Sequence, residues 1–211
     1  MANIYLNEAL DQWFVKHFAS RNSVIVRYAD NAIFFFTEEK DASEFLKALH
    51  QRVKEFKLIL NEEKSRTLTF DKWSNEHFHF LGFTFYWGRL GRKRALRLKT
   101  QKEKLIKSIQ EFYKWCKTNR NMMKLTELWQ LAKSKIRGHI NYYGYQVNKT
   151  KIHHFYCEAV RSLFKWLNRR SQRPSYSWEG FWERVKYFPF IPAWDEIDWK
   201  QPKGRNAFVR C

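Results

Sequence analysis

Asp30 and Asn31 stand together in "VIVRYADNAIFFFT", residues Val24 to Thr37, where two apolar runs hinge on Tyr28-Ala29-Asp30-Asn31. The β-branched and aromatic residues on either side suit two strands joined by a tight turn. A strand pair holds its turn rigidly, and a rigid acidic turn is a good mount for divalent ions. Two-metal phosphoryl transfer needs carboxylates fixed around ions about 3.5–4 Å apart. One carboxylate beside an amide is short of that, because an amide is a weaker, uncharged ligand for Mg2+. Asp and Asn are also ordinary turn residues, so the tip alone leaves both readings open. Glu38 and Glu39 lie a full strand's length from the tip, and Glu62 and Glu63 belong to another turn, so all four read as solvated charges.

A second kind of chemistry is written in the charge. Forty Lys and Arg against 21 Asp and Glu give a net charge of +19, and an excess of that size repels itself unless a polyanion neutralises it. Ten Trp, ten Tyr and 19 Phe are interleaved with those cations, which suits stacking on unpaired bases while the cations hold phosphates. An anionic membrane is the rival polyanion, but the basic residues are spread over most of the chain and no short amphipathic anchor stands out.

Three basic stretches are candidates for phosphate contact. Arg89, Arg92, Lys93, Arg94 and Arg97, with Lys99, Lys102 and Lys104, face a single acid, Glu103, and predict a cationic hairpin ribbon; a merely solvated hairpin is the plainer alternative. Lys133, Lys135 and Arg137 lead into "GHINYYGY", whose Tyr142, Tyr143 and Tyr145 either stack bases or pack a core, with packing expected for at least two. Arg161, Lys165 and Arg169 recur at four-residue spacing and predict a row of cations on one exposed helix face. The histidines, His153 and His154 among them, show no metal-ligand spacing, and Cys116, Cys157 and Cys211 are far apart with no CxxC pair. Neither a zinc site nor a disulfide framework is indicated.

The elements that must position these residues fall into two halves. Residues 2–19 carry apolar positions at helical spacing, and Ala42, Phe45, Leu46, Leu49, Val53 and Phe56 trace a helix face after a capping-box-like Asp41 and Glu44. "LILNEEKSRTLTF" predicts strand, turn and strand. "HFHFLGFTFYW" predicts one strand ending at Gly88, and Gly91 turns the chain back into "RALRLK". After Thr100 three helices are expected, on Leu105, Ile109, Phe112 and Cys116; on Leu125, Leu128, Trp129, Ala132 and Ile136; and on Ile152, Phe155, Ala159, Leu163 and Leu167. Ser177 is placed to cap a short last helix, and the tail from Pro189 to Cys211 reads as extended or disordered. No run approaches the ~18 apolar residues of a membrane span, and the start lacks the order of a signal peptide, so a cytoplasmic protein is expected.

Five stretches in order resemble the C-terminal part of the group II intron reverse transcriptase/maturase family. "ANIYLNEALDQWF" is similar to the segment after that family's fourth motif, "RYADN" to its YADD signature, "LILNEEKS" to its sixth motif, "FLGFTFYWG" to its seventh, and "LAKSKIRGHINYYGY" to part of its thumb, or X, domain. The resemblance implies an α+β fold: part of a polymerase palm, an antiparallel sheet with helices, over 1–100, an all-α thumb/maturase domain over 101–188, and a tail over 189–211. It places Asp30 at one Mg2+-binding carboxylate and Phe80, Leu81, Gly82 and Phe83 near the region that grips the primer end. Asn31 departs from the signature's second Asp, and the family's other catalytic Asp lies in fingers and early-palm sequence not found here.

The partner implied is RNA, either intron RNA or a template–primer duplex, bound without extension by this chain alone. Two alternatives stay open. One is the C-terminal half of a split reverse transcriptase, with another chain supplying fingers and early palm. The other is a non-catalytic RNA-binding splicing factor.

Overall fold

The computed structural model describes residues 2–19, 22–172, 175–192 and 197. The chain forms two compact units that divide between Glu76 and His77. The fold class is α+β, as expected. The switch from strands to helices comes after Thr100, so the second compact unit begins with strands and continues with helices. Among the described residues no helix is long and apolar enough to cross a membrane.

The first unit starts with a helix that changes pitch. Helix α1 (Ala2–Leu6) runs into a π-helical stretch (Asn7–Gln12) and then α2 (Trp13–His17). The wider turn brings Ala9 and Phe14, five residues apart, onto one buried side, each 1% exposed. Arg52 donates to two carbonyls of that wider stretch, Ala9 O at 3.1 Å and Glu8 O at 3.4 Å.

Strands β1 (Ser23–Tyr28) and β2 (Asn31–Phe36) form an antiparallel hairpin with Ile25 opposite Phe34 and Arg27 opposite Ala32. Alternation turns Ile25, Phe34 and Phe36 towards Phe14, Phe45, Leu49 and Val53, which form this unit's core. Helix α3 (Glu39–Glu55) supplies the last three. It begins two residues before Asp41, with Glu38 at the cap position and no side-chain cap, so Asp41 complements the helix dipole in the first turn instead of capping it. It ends in a reciprocal pair of hydrogen bonds, Leu58 N to Val53 O and Lys57 N to Lys54 O, with Lys57 in the left-handed position at φ 52°.

No strand forms across Leu58–Phe70 among the described residues, contrary to the strand–turn–strand expectation. Ile59 is 96% exposed, and β-prone residues need a neighbouring strand to receive their hydrogen bonds before their propensity becomes structure. Only the turn is present, with Asn61 Oδ1 accepting from Lys64 N.

In the second unit β3 (His77–Phe80), β4 (Phe83–Leu90) and β5 (Lys93–Thr100) make an antiparallel meander. What reads in sequence as one strand is thus a hairpin, because Leu81 and Gly82, at φ 49° and 77°, make the two-residue left-handed turn that suits the twist of paired strands. Strand β4 also continues through Gly88.

Helices α4 (Lys102–Asn119), α5 (Leu125–Tyr143), α6 (Lys149–Leu167) and α7 (Trp178–Tyr187) follow. The apolar positions read from the sequence meet in one core; Leu105, Phe112, Cys116, Leu128, Trp129, Ala132, Ile136, Ile152, Phe155, Ala159, Leu163 and Leu167 are all buried there. Ser177 caps α7, accepting from Gly180 N at 3.1 Å. Of the expected tail, Phe190 and Ile191 are buried in this core, while most of the rest, Cys211 included, lies outside the described residues.

Two polar groups fix the second unit. Asn148, 1% exposed, accepts from Thr100 N at 2.9 Å and donates to Thr100 Oγ1 at 2.8 Å and Tyr143 O at 2.9 Å. Asn148→Ala leaves these buried groups unpaired and is expected to cost about 3 kcal/mol in urea unfolding. His139 stacks on Phe155 with ring centroids 3.6 Å apart, and burial lowers its pKa from 6.5 to about 4. The unfolded chain therefore takes up this proton before the folded chain does. Stability is expected to fall as pH drops from 6.5 to about 4, by at most on the order of 3 kcal/mol, and to level below that. His139→Gln flattens that part of the pH profile measured by thermal melting.

Candidate nucleic-acid interface

The β1–β2 tip is a two-residue turn of Ala29 and Asp30, closed by the Tyr28–Asn31 pair. Ala29 takes φ 54°, a conformation an L-residue adopts at a cost, and the Arg27 guanidinium stabilises it by donating to Ala29 O at 2.8 Å. Arg27 also grips both carboxylate oxygens of Asp11, at 2.7 and 2.6 Å. That salt bridge ties the hairpin to the π-helical stretch and commits Asp11 to a structural role.

Asp30 and Asn31 are both exposed, and Asn31 Nδ2 donates to Asp30 Oδ1 at 3.2 Å. Among the described residues no three His, Cys, Asp or Glu side chains converge to hold a metal ion. A lone exposed carboxylate that accepts from its neighbour's amide does not match the donor set of a two-Mg2+ centre. The residues described here do not by themselves fit that metal site. Glu38 and Glu39 sit beyond β2 at the start of α3, and Glu62 and Glu63 are exposed in the turn after α3.

The residues expected at a primer-gripping position lie in the β3–β4 turn. Phe80 pairs with Phe83 across Leu81 and Gly82. Phe83 is 7% exposed, and Tyr142, Tyr143 and Tyr145 close around it with ring centroids 6.2, 5.2 and 5.4 Å away. All three tyrosines thus pack on one phenylalanine, though Tyr142 keeps one side to solvent. The Tyr142 hydroxyl donates to Leu81 O at 3.1 Å and Gln101 N donates to Gly82 O at 2.9 Å, so the turn is held from two sides. A side chain at Gly82 would meet the Tyr143 hydroxyl at 2.8 Å.

The cationic ribbon is sorted by alternation. On β4 and β5 the register places Lys93, Arg97 and Lys99 on one face with His77, His79, Thr84 and Tyr86. Arg89 and Arg94, opposite each other, share the other face with Phe85, Trp87, Leu96 and Leu98, and Arg92 follows Gly91 in the turn. Lys99 Nζ sits 4.7 Å from the Tyr86 ring, and Arg97 crosses Gly88 to donate to Arg89 O at 3.1 Å. Gly88 makes room, since a Cβ there would lie 2.7 Å from Arg97 Cδ. Tyr86 with Lys99 is a pairing the sequence reading did not isolate, because a cross-strand register joins them.

On α5, Lys133 is half-buried, Arg137 is exposed, and Lys135 reaches over Trp115 at 5.3 Å. Of the expected row on α6, Arg161 is paired with Glu158 at 2.5 Å, whereas Lys165 donates to the Tyr113 hydroxyl at 2.9 Å and Arg169 lies over Trp166. Among the described residues, two of the row's three charges, Lys165 and Arg169, have no acidic partner. Cys116 is buried and its thiol is pushed up to about 12 by desolvation, which leaves it unreactive.

Residues 1–85 match the family model of reverse transcriptase (RNA-dependent DNA polymerase). The matched stretch contains the whole β1–β2 hairpin, α3 and the β3–β4 turn, and ends within β4. This part of the chain is similar to reverse transcriptases, and the α+β architecture is consistent with part of a polymerase palm followed by a helical domain. No curated protein matches the chain.

In isothermal titration with Mg2+, the wild-type chain and Asp30→Ala are expected to give superimposable heats. A saturable site lost with Asp30 would show that the tip completes a metal centre with donors outside those described.

Proposed function

We propose that this chain is a group II intron-type reverse transcriptase/maturase segment, palm followed by thumb, that binds intron RNA or a template–primer duplex in the cytoplasm and does not extend a primer on its own. The observation that carries this reading is the hairpin itself. It lies in a stretch matching reverse transcriptases, yet Asn31 stands beside Asp30 and no three His, Cys, Asp or Glu side chains gather to hold a metal among the described residues. Phosphoryl transfer by two metals lacks its ligands in such a tip. Binding has support of another kind: a net charge of +19, with Arg97 and Lys99 flanking Tyr86 on one sheet face, and Lys165 on α6 and Arg169 just past its end without an acidic partner among the described residues. Cations beside an aromatic ring suit phosphates and bases together.

A second reading is favoured by one feature of the hairpin. Its outward residues Val24, Val26 and Tyr28 are 54%, 41% and 65% exposed. Apolar surface of this kind suits a partner chain that supplies fingers, early palm and the remaining carboxylates, in a split polymerase.

The test is fluorescence anisotropy with a structured RNA and with an RNA–DNA template–primer across a KCl series, paired with primer extension in Mg2+ or Mn2+. The binding constant should fall steeply and linearly on logarithmic axes, by roughly 0.7–0.9 per phosphate contacted. A salt-independent affinity would refute electrostatic RNA binding. Product formation that is lost in Asp30→Ala would refute inactivity, and product only on adding a chain with the missing carboxylates would establish the split enzyme.

A further inference from the structure

Four cations from two helices gather around one indole. Lys117 in the last turn of α4 and Arg120 just past it, and Lys165 in the last turn of α6 and Arg169 just past it, lie 5.9, 5.1, 5.7 and 5.4 Å from the Trp166 ring centroid. No two are therefore more than about 12 Å apart, close to one Debye length at ordinary salt. The four ion pairs among the described residues include none of them.

Their positions are built. Arg120 donates to the carbonyls of Lys117 at 2.6 Å and Arg169 at 3.3 Å, and Lys165 donates to the Tyr113 hydroxyl at 2.9 Å. The Trp166 ring, 7% exposed, packs edge-on to Tyr113 and forms the floor. The strength of the local field shows in Tyr113, whose hydroxyl is drawn below its ordinary pKa first by the Lys165 hydrogen bond and then by the charges of Lys165, Arg169 and Lys117. Holding four like charges together costs folding energy, and an anion among them would remove that cost.

We propose that Lys117, Arg120, Lys165 and Arg169 form a binding site for consecutive backbone phosphates of RNA. This deepens the RNA-binding reading above and rests on it, while locating the contact on the α4–α6 face. Two guanidiniums supply forked donors that fit phosphate oxygens, and cation–π contact with Trp166 orders the flexible arms before the ligand arrives. Pre-ordered, closely spaced cations suit a polymer with regularly spaced phosphates better than the mobile headgroups of a membrane.

The experiment compares Lys117→Gln/Arg169→Gln with Lys47→Gln/Lys54→Gln, which removes the same charge from exposed positions on α3. The probe is a fluorescein-labelled RNA hairpin in about 100 mM KCl, with anionic phosphatidylglycerol vesicles as the second arm. The α4–α6 variant should bind RNA roughly tenfold more weakly and lose about 1.5 from the salt slope, with the α3 variant much closer to wild type. Equal losses in both variants, with wild type still binding RNA, would overturn the cluster and leave the broader reading intact. Failure of wild type to bind RNA would overturn both. Loss of vesicle binding without loss of RNA binding would assign the cluster to lipid and overturn the proposal. Thermal melts of the α4–α6 variant should match or slightly exceed wild type, because both substituted side chains are exposed and their removal relieves like-charge repulsion.

Discussion

A buried amide, Asn148, ties three elements of the second unit together. Its amide holds the last residue of β5 and the end of α5 together through three hydrogen bonds in a place that water does not reach. The end of the sheet, the end of one helix and the start of the next are therefore set by one side chain. The tyrosines on Phe83 and the β3–β4 turn they brace inherit that geometry. Apolar burial supplies most of the drive for packing but is indifferent to small slips, whereas a buried amide with three partners allows only one register.

Positive charge is organised differently on the sheet and on the helices of the second unit. On the meander, strand alternation divides the cations between an aromatic-packed face and a polar face, so the run from Arg89 to Lys99 does not act as one ribbon. On the helices, cations distant in sequence are drawn together by aromatic rings, Trp115 and Trp166, whose faces attract them. The many aromatics of the chain thus have a second use besides filling cores. They fix where charge sits.

What could be read in the sequence was local. Helix faces such as Leu105, Phe112 and Cys116 were legible because a repeat near 3.6 is set within a few turns of one segment. The β1–β2 hairpin was legible because its turn and flanks are contiguous. Leu58–Phe70 departs from its strand-like composition because strand-forming residues without a strand beside them stay irregular, and the Leu81–Gly82 turn is hidden in the sequence because only Gly82 signals a left-handed turn. At the candidate site, Asp30 and Asn31 were visible from type and spacing alone. Asn148, the Tyr86–Lys99 pair and the gathering around Trp166 were not, since each joins segments that meet only after folding.

The π-helical stretch at Asn7–Gln12 reads naturally as a length difference. One residue more than an α-helix needs is accommodated there, and the flanking α-helical phases, with Tyr5 on one side and Phe14 on the other, are preserved by the wider turn. Removal of one residue within the stretch would let the ladder close as an ordinary α-helix without rotating either flank. Removal of one residue from α3 would turn half its core-facing side chains away. The N-terminal helix is thus a place where the chain length can vary by one with the core left in register, at the loss of the carbonyl acceptors that Arg52 now holds.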